Sequence, residues 1–272
     1  MFVERINTWD VIAAAQLGEE LFMTDASSQK LCVYDGGRYR GNIVIPATRY
    51  KRNFVDMAAC DHFHCLYLAD EGNSCIVKLE IPPKHSEWQV DGLKKSAVIS
   101  VTSSHHLLVF CGVSNKLKLF STNGELYSTI ELQPDIVNVA SAVELVPGQY
   151  VVTHGRDFRT PHRVCVVNSE GKVLHSFGGL QGSYDQLLLD TPRGVGVDRD
   201  GFVYVDDVEN DRLVLLTPKL DYLHCMRSVF RKSTEHFDRR MKLDKKSGHI
   251  YVVQSRNKGD VTYHVTIYRF ET

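Results

Sequence analysis

The densest group of potentially reactive side chains is segment 60–65, CDHFHC, which places two thiols and two imidazoles within six residues. These are the ligand types that zinc prefers, but the spacing is poor for a tetrahedral site. Cys60 and Cys65 flank one predicted hairpin, which leaves His62 and His64 on a short turn with little freedom to complete the coordination shell. We therefore predict no metal and no cofactor. Two alternatives stay open, a polar exposed turn or a pair of thiols that oxidises across the hairpin.

Charged residues elsewhere do not form a recognisable catalytic set. Asp25, Asp70 and Asp207 each end an apolar strand just before a turn, where a carboxylate accepts backbone N–H groups and stabilises the turn. Asp56, Asn138 and Lys242 are the polar candidates within the predicted inner strands. No glycine loop that cradles phosphate and no nucleophile elbow is present. The sequence favours a non-enzymatic role over catalysis.

These side chains are carried by an internal repeat. Six segments share the order apolar strand, turn, strand, polar turn, third strand and looser fourth strand. Aligning the second strands gives spacings of 45, 42, 42, 53 and 47 residues between the equivalent positions Phe22, Tyr67, Val109, Val151, Tyr204 and Tyr251. A period of about 40 to 50 residues is typical of four-stranded propeller blades. The sequence thus predicts an all-β, six-bladed β-propeller with four antiparallel strands per blade.

Turn residues and small residues agree with this prediction. Asp200-Gly201, Pro147-Gly148 and Ser247-Gly248 fall between first and second strands, where tight hairpins need a positive φ. Alanines and glycines occupy the first strands, which crowd around the axis of a propeller. The last repeat lacks a fourth strand, and the opposite end has an unassigned segment, MFVERI. We predict that residues 1–6 supply the outer strand of the last blade and close the ring.

One repeat carries a family motif. The stretch TPRGVGVDRDGFVYVDDVENDRLVLL, which begins at Thr191, resembles an NHL repeat, with Asp207, Asn210 and Arg212 in the pattern positions. Blades one and two match in part, while Gly112, His154 and Gln254 replace the aspartate in blades three, four and six. The resemblance implies a six-bladed propeller that acts as a recognition domain, as in tripartite-motif ubiquitin ligases. Some members of the family bind RNA and others bind proteins, and more distant six-bladed propellers are enzymes.

The composition of the chain further limits the class of protein to which it can belong. The 272 residues carry a formal net charge of -1 and are 43% hydrophobic, which excludes a disordered charged protein. The sequence contains no apolar run of about 18 residues, the length that a membrane span requires. The N-terminal segment is too charged for a signal peptide. Seven cysteines, an odd number, indicate thiols rather than a disulfide framework. We predict a single domain over residues 1–272, monomeric and cytoplasmic.

Basic side chains are concentrated in the loops between blades and between second and third strands, which emerge on one side of a propeller. Arginines and aromatic residues dominate protein interfaces, and they also stack on unpaired bases. We therefore predict a module that binds a protein or peptide through this face, with RNA, glycan binding and a hydrolase or lyase activity as alternatives. The predicted partner-binding residues are Arg49, Tyr50, Lys51, Arg52, Arg156, Phe158, Arg159, Phe230, Arg231, Lys232, Arg239 and Arg240.

Overall fold

The computed structural model describes residues 2–8, 11–25, 30–46, 50–112, 115–155, 159–180, 188–227, 238–255 and 263–269. Over these ranges the chain forms β-strands and turns. The strands, in chain order, are β1 (Phe2–Thr8), β2 (Val11–Leu17), β3 (Glu20–Asp25), β4 (Lys30–Asp35), β5 (Arg38–Val44), β6 (Phe54–Cys60), β7 (Cys65–Asp70), β8 (Cys75–Glu80), β9 (Lys84–Gln89), β10 (Val98–Val101), β11 (Leu107–Phe110), β12 (Lys116–Phe120), β13 (Leu126–Glu131), β14 (Ser141–Val146), β15 (Gln149–His154), β16 (Pro161–Asn168), β17 (Val173–Leu180), β18 (Pro192–Val197), β19 (Val203–Asp207), β20 (Arg212–Leu216), β21 (Tyr222–Arg227), β22 (Asp238–Leu243), β23 (Ile250–Ser255) and β24 (Tyr263–Arg269). Within these ranges, no helix has the length and apolar character needed to cross a bilayer.

The strands form six antiparallel sheets of four strands, which confirms the predicted six-bladed propeller. Blades 1 to 5 are consecutive meanders, from β2-β3-β4-β5 to β18-β19-β20-β21. The sixth sheet has the order β1-β24-β23-β22. The first strand of each blade contacts the first strand of the next, and β22 of blade 6 contacts β2 of blade 1. The inner strands therefore make a closed ring.

The N-terminal strand closes the last blade, as predicted. β1 pairs antiparallel with β24, with Phe2 opposite Arg269 and Thr8 opposite Tyr263. The pairing extends two residues past the predicted segment 1–6. Without β1, the backbone groups of β24 would form an unpaired outer edge in blade 6.

The hydrophobic core lies between the blades. Each of the six clusters of buried residues joins two neighbouring sheets; one joins Phe22 of blade 1 to Leu66 of blade 2, for example. At the inner ring the blades approach closely enough to require small side chains. A Cβ atom on Gly194 of β18 would lie 2.3 Å from the Cβ atom of Met241 in β22. Small residues in the first strands thus permit the radial packing that the sequence predicted.

Candidate binding cavity on the interblade face

The propeller has two ends, each formed by one set of loops. We call the end formed by the loops between blades and between second and third strands the interblade face. On this face Glu71 N donates to Asn53 O at 2.9 Å, and Glu209 N donates to Asp190 O at 3.1 Å. The opposite end, formed by the turns between first and second and between third and fourth strands, is the hairpin face. The two loop sets that the sequence placed together on the interblade face are in direct contact.

Turn aspartates position the loops of the interblade face. Asp207 accepts hydrogen bonds from Asp190 N at 2.6 Å, Asn210 Nδ2 at 2.9 Å and Arg212 Nε at 2.6 Å. Burial raises the pKa of Asp207, and these hydrogen bonds act in the opposite direction by stabilising the charged form. The three residues of the family-like motif therefore form one hydrogen-bonded unit, which confirms the predicted scaffold role of Asp207.

Asp70 plays the same part in blade 2. Its carboxylate accepts from Asn53 N at 2.9 Å and from Asn73 Nδ2 at 2.9 Å, and it pairs with Arg52 at 3.1 Å. The scaffold role predicted for Asp70 is likewise confirmed. Asp25 ends β3, but its side chain lies outside the described part of the chain.

The structure corrects the prediction that Arg52 contacts a partner. Its side chain is only 2% exposed, and its guanidinium pairs with both Asp70 and Glu87, at 3.1 and 2.7 Å. Burial by itself lowers the pKa of Arg52, but the hydrogen bonds and charges of Glu87 and Asp70 together raise it above its usual value. Arg52 was assigned to partner contact because it lies in a basic loop segment, but it is a buried structural anchor and presents no surface to a partner.

The remaining predicted residues divide by what the structure describes. Tyr50 is 56% exposed, Lys51 and Arg159 are exposed, and Arg240 is half-buried. Arg240 lines the cavity at the mouth of the central channel, whereas Tyr50, Lys51 and Arg159 do not line it. Arg240 donates to Ala97 O at 3.0 Å and to Lys95 O at 2.9 Å. The other predicted residues, whose side chains lie outside the described part, are Arg49, Arg156, Phe158, Phe230, Arg231, Lys232 and Arg239.

A cavity of about 920 Å³ opens on the interblade face at the mouth of the central channel. Its walls combine apolar side chains, including Phe110, Ile136 and Met241, with charged ones. Among the described residues, six lining side chains are basic and three are acidic. The basic residues are Lys94, Lys95, Lys116, Arg193, Arg240 and Lys242; the acidic residues are Asp56, Glu71 and Glu131.

Two of these lining residues form an ion pair that spans the channel. Lys242 of blade 6 donates from Nζ to Asp56 Oδ2 of blade 2 at 2.8 Å and to Ile99 O of blade 3 at 2.6 Å. Asp56 Oδ2 also accepts from Ile99 N at 2.8 Å. Burial lowers the pKa of Lys242, while the charge of Asp56 acts in the opposite direction. Lys242 also lines the second cavity, so the pair lies between the two.

Sequence reasoning singled out Asp56 and Lys242 but did not connect them. They are 186 residues apart in the chain and meet only because the ring brings blades 2 and 6 within reach of each other. Asp56 gives a signal in the sequence, because it is the single charge of the otherwise apolar strand β6; β22, with the sequence DRRMKL, carries four charged residues and does not single out Lys242. The pair bridges the channel through Asp56 Oδ2, while the second carboxylate oxygen, Asp56 Oδ1, is buried without a hydrogen-bond partner among the described residues.

Two strained backbone positions border the cavity. Asn138 and Thr191 have φ values of 55° and 56°, and both line the cavity. Residues other than glycine rarely adopt positive φ, and such positions cluster at binding and catalytic sites. Each lies in the loop that leads into the first strand of a blade, β14 or β18. The strain therefore shapes the rim of the candidate site.

The hairpin face carries a smaller cavity of about 410 Å³, which is lined by Cys60, His62, His105 and Glu144 among others. The imidazole rings of His62 and His105 are stacked 4.0 Å apart. Within the described ranges, no group of three or more His, Cys, Asp or Glu side chains is arranged to hold a metal ion. None of the seven cysteines forms a disulfide.

The comparisons with known proteins identify the class by fold alone. No family model matches the chain, and no curated protein sequence matches it. A streptogramin B lyase structure is similar with a TM-score of 0.66 and 12% identity, covering 100% of this chain and 88% of that one. A catalytically inactive variant of virginiamycin B lyase from Staphylococcus aureus, with quinupristin, has a TM-score of 0.65 at 6% identity, covering 98% of this chain and 99% of that one.

Proteins of other functions share the same architecture. A nidogen/laminin complex contains a propeller with a TM-score of 0.58 and 12% identity, covering 80% of each chain. The protein is thus a six-bladed β-propeller whose structural neighbours include lyases and a protein-binding domain. At these identities the likeness defines the fold and leaves the function to be argued from the site.

Proposed function

We propose that this propeller is a non-enzymatic recognition module that binds an acidic segment of a protein partner in the cavity of the interblade face. The single observation that carries the proposal is the composition of that cavity, whose walls are both apolar and predominantly basic. Apolar walls take up side chains of a peptide, while the excess of basic groups attracts carboxylates. The NHL-like motif of blade 5 supports this interpretation, because propellers of that family are recognition domains.

The basic residues differ in where they lie: some are half-buried in the wall of the cavity and others are exposed at its rim. Arg240 and Lys242 are held by backbone carbonyls and Asp56, so they shape the cavity. Lys94 and Lys95 have exposed side chains at its rim. A charge reversal at Arg240 would place a carboxylate against the carbonyl oxygens of Ala97 and Lys95. The binding test therefore changes the rim lysines.

The experiment selects peptides from a random display library on the immobilised protein and measures the affinity of the enriched peptides by fluorescence polarisation. We expect the enriched peptides to be rich in Asp and Glu. The double variant Lys94→Glu/Lys95→Glu should weaken their binding by about tenfold or more, since reversing rim charges places like charges together. The matched control is Lys245→Glu/Lys246→Glu, the same charge change on exposed lysines of the hairpin face, which should leave the affinity unchanged.

Equal affinities for the two double variants would overturn the proposed site. A uridine homopolymer tests the RNA alternative in the same assay. Binding of that RNA with a steep salt dependence, lost in the Lys94→Glu/Lys95→Glu variant, would replace the peptide proposal by RNA recognition on the same face.

A further inference from the structure

A pair of thiols lies at the end of one hairpin in blade 2. Cys60 is the last residue of β6 and Cys65 the first of β7, and the two are directly opposite in the antiparallel register. Directly opposed residues have Cα atoms about 4.5 to 5.5 Å apart, which lies within the range of about 4.4 to 6.8 Å that a disulfide requires. Each thiol also shifts the pKa of the other, downwards for Cys60 and upwards for Cys65. A bond between them therefore needs no rearrangement of the hairpin.

The two thiols differ in access. Cys60 is 3% exposed and lines the cavity of the hairpin face, whereas Cys65 is fully buried behind it and does not line that cavity. A small oxidant that enters this cavity meets the sulfur of Cys60 first. A protein disulfide is too large to reach the pair, so the geometry selects a small molecule.

The surroundings of Cys60 stabilise a thiolate. The hydrogen bond with Cys65 lowers the pKa of Cys60 most, burial opposes it, and the backbone N–H groups of Phe63 and His62 and the charge of His105 lower it further. The hydrogen bond with Cys60 and burial raise the pKa of Cys65. Such a division is typical of an attacking thiol beside a resolving thiol.

Three other buried cysteines of this chain have raised thiol pKa values, in contrast to Cys60. Burial raises the pKa of Cys75 to about 12 and that of Cys165 to about 11, and it also raises the pKa of Cys111. None of them lines the cavity of the hairpin face. These cysteines are therefore internal references for an inert buried thiol.

We propose that Cys60 and Cys65 form a redox-active dithiol that reacts with hydrogen peroxide in the cavity of the hairpin face. The Cys60 sulfur attacks one peroxide oxygen, so that an S–O bond forms, the O–O bond breaks and one water leaves with the thiol proton. The Cys65 sulfur then attacks the Cys60 sulfenic acid, so that the S–S bond forms, the S–O bond breaks and a second water leaves. The two sulfurs are oxidised by two electrons in total, and one peroxide is reduced to two waters.

The test treats the purified full chain with hydrogen peroxide, blocks the remaining thiols and maps the cysteines by mass spectrometry. Trypsin releases residues 53–78 as one peptide that contains Cys60, Cys65 and Cys75. Further cleavage after Phe63 separates Cys60 from the other two, so a disulfide appears as two linked fragments. We expect this link to form between Cys60 and Cys65, to revert with dithiothreitol, and to form at least about tenfold faster than oxidation of Cys165.

Variants separate the two steps. Cys65→Ser should stop at a sulfenic acid on Cys60, which dimedone traps, whereas Cys60→Ser should show neither the sulfenic acid nor the link. Cys75→Ser is the matched control and should form the link at the wild-type rate. Oxidation of Cys60 no faster than that of Cys165 in the wild-type chain, or absence of the dimedone adduct in folded Cys65→Ser, overturns the proposal. This site is on the opposite face from the peptide cavity, so the two proposals stand independently.

Discussion

At the scale of single residues, blade 4 shows how a charged turn residue is replaced by a neutral one. His154 ends β15 at the position equivalent to that of Asp70 at the end of β7 and Asp207 at the end of β19. Its side chain is buried, and Nε2 lies 3.5 Å from Cys165 Sγ. Burial, followed by the charge of Arg163, lowers the pKa of His154 from 6.5 to about 4. The folded protein therefore keeps this imidazole neutral over a range in which an unfolded chain binds a proton.

This burial predicts a specific pH dependence of stability. As the pH falls from 6.5 towards 4, the unfolded state gains a proton that the folded state does not, so the free energy of unfolding decreases, by up to about 3 kcal/mol for this shift. Urea unfolding of the wild type at pH 7 and pH 4.5 should show the decrease. His154→Gln should show a smaller difference between the two pH values. His85→Gln, at an exposed histidine, should retain the wild-type difference, and the same pH dependence in both variants would contradict the assignment.

Arg52 illustrates why single residues were hard to assign from sequence. An arginine in a basic loop segment has the same local pattern whether it contacts solvent or pairs with Asp70 inside the loop. Only the approach of Glu87 from β9 and Asp70 from β7 to the same guanidinium distinguishes the two cases.

At the scale of elements, neighbouring blades meet through the turns between their third and fourth strands. Gly171 lies in this turn of blade 4, with a φ of 78°, and a Cβ atom there would lie 1.7 Å from the carbonyl oxygen of Glu131 in β13 of blade 3. Gly148, in the turn between β14 and β15, has a similar φ of 80° but no neighbour within 4 Å of a Cβ position. Both glycines have the same left-handed backbone conformation, but only Gly171 is packed closely against a neighbouring blade. A comparison of the two therefore distinguishes the cost of the backbone conformation from the cost of lost space between blades.

The pair predicts unequal effects of alanine. Gly148→Ala should lower the free energy of unfolding by about 1 to 2 kcal/mol, the strain of a left-handed conformation. Gly171→Ala should lower the free energy of unfolding by the same amount and by about 1 to 3 kcal/mol more, because the blades must also move apart. Urea unfolding of both variants measures the difference. Equal losses would mean that the turn of blade 4 does not pack against β13 as closely as described.

At the scale of the whole molecule, ring closure depends on β1. Ile6 of this strand is buried in the cluster between blades 6 and 1, and the strand pairs with β24 along its full length. Its loss would expose the edge of β24 as well as apolar surface between two blades. Both effects favour unfolding and edge-to-edge association.

Deletion of residues 1–8 should therefore lower the free energy of unfolding by about 3 kcal/mol or more, from the burial of Ile6 and several ladder hydrogen bonds. The matched control is a circular permutant in which residues 1–8 follow Thr272 through a short glycine-serine linker. Because Phe2 lies opposite Arg269, the moved strand pairs with β24 as a hairpin and should restore the wild-type stability. Thermal unfolding with light scattering measures both chains, and a deletion as stable as the permutant would contradict the closure role.

The sequence by itself determined the number of blades, the four-strand meander, the closing strand and the turn roles of Asp70 and Asp207. These features are encoded locally, since strand period, turn residues and capping carboxylates act over a few residues and recur at a fixed interval. Only the tertiary structure decided that Lys242 reaches Asp56 across the channel, that Arg52 is buried, and that Lys94 and Lys95 border a cavity with Arg240. Those contacts join residues that are distant in the chain, and their geometry depends on how the strands and loops of six sheets pack around one axis, which no local pattern specifies.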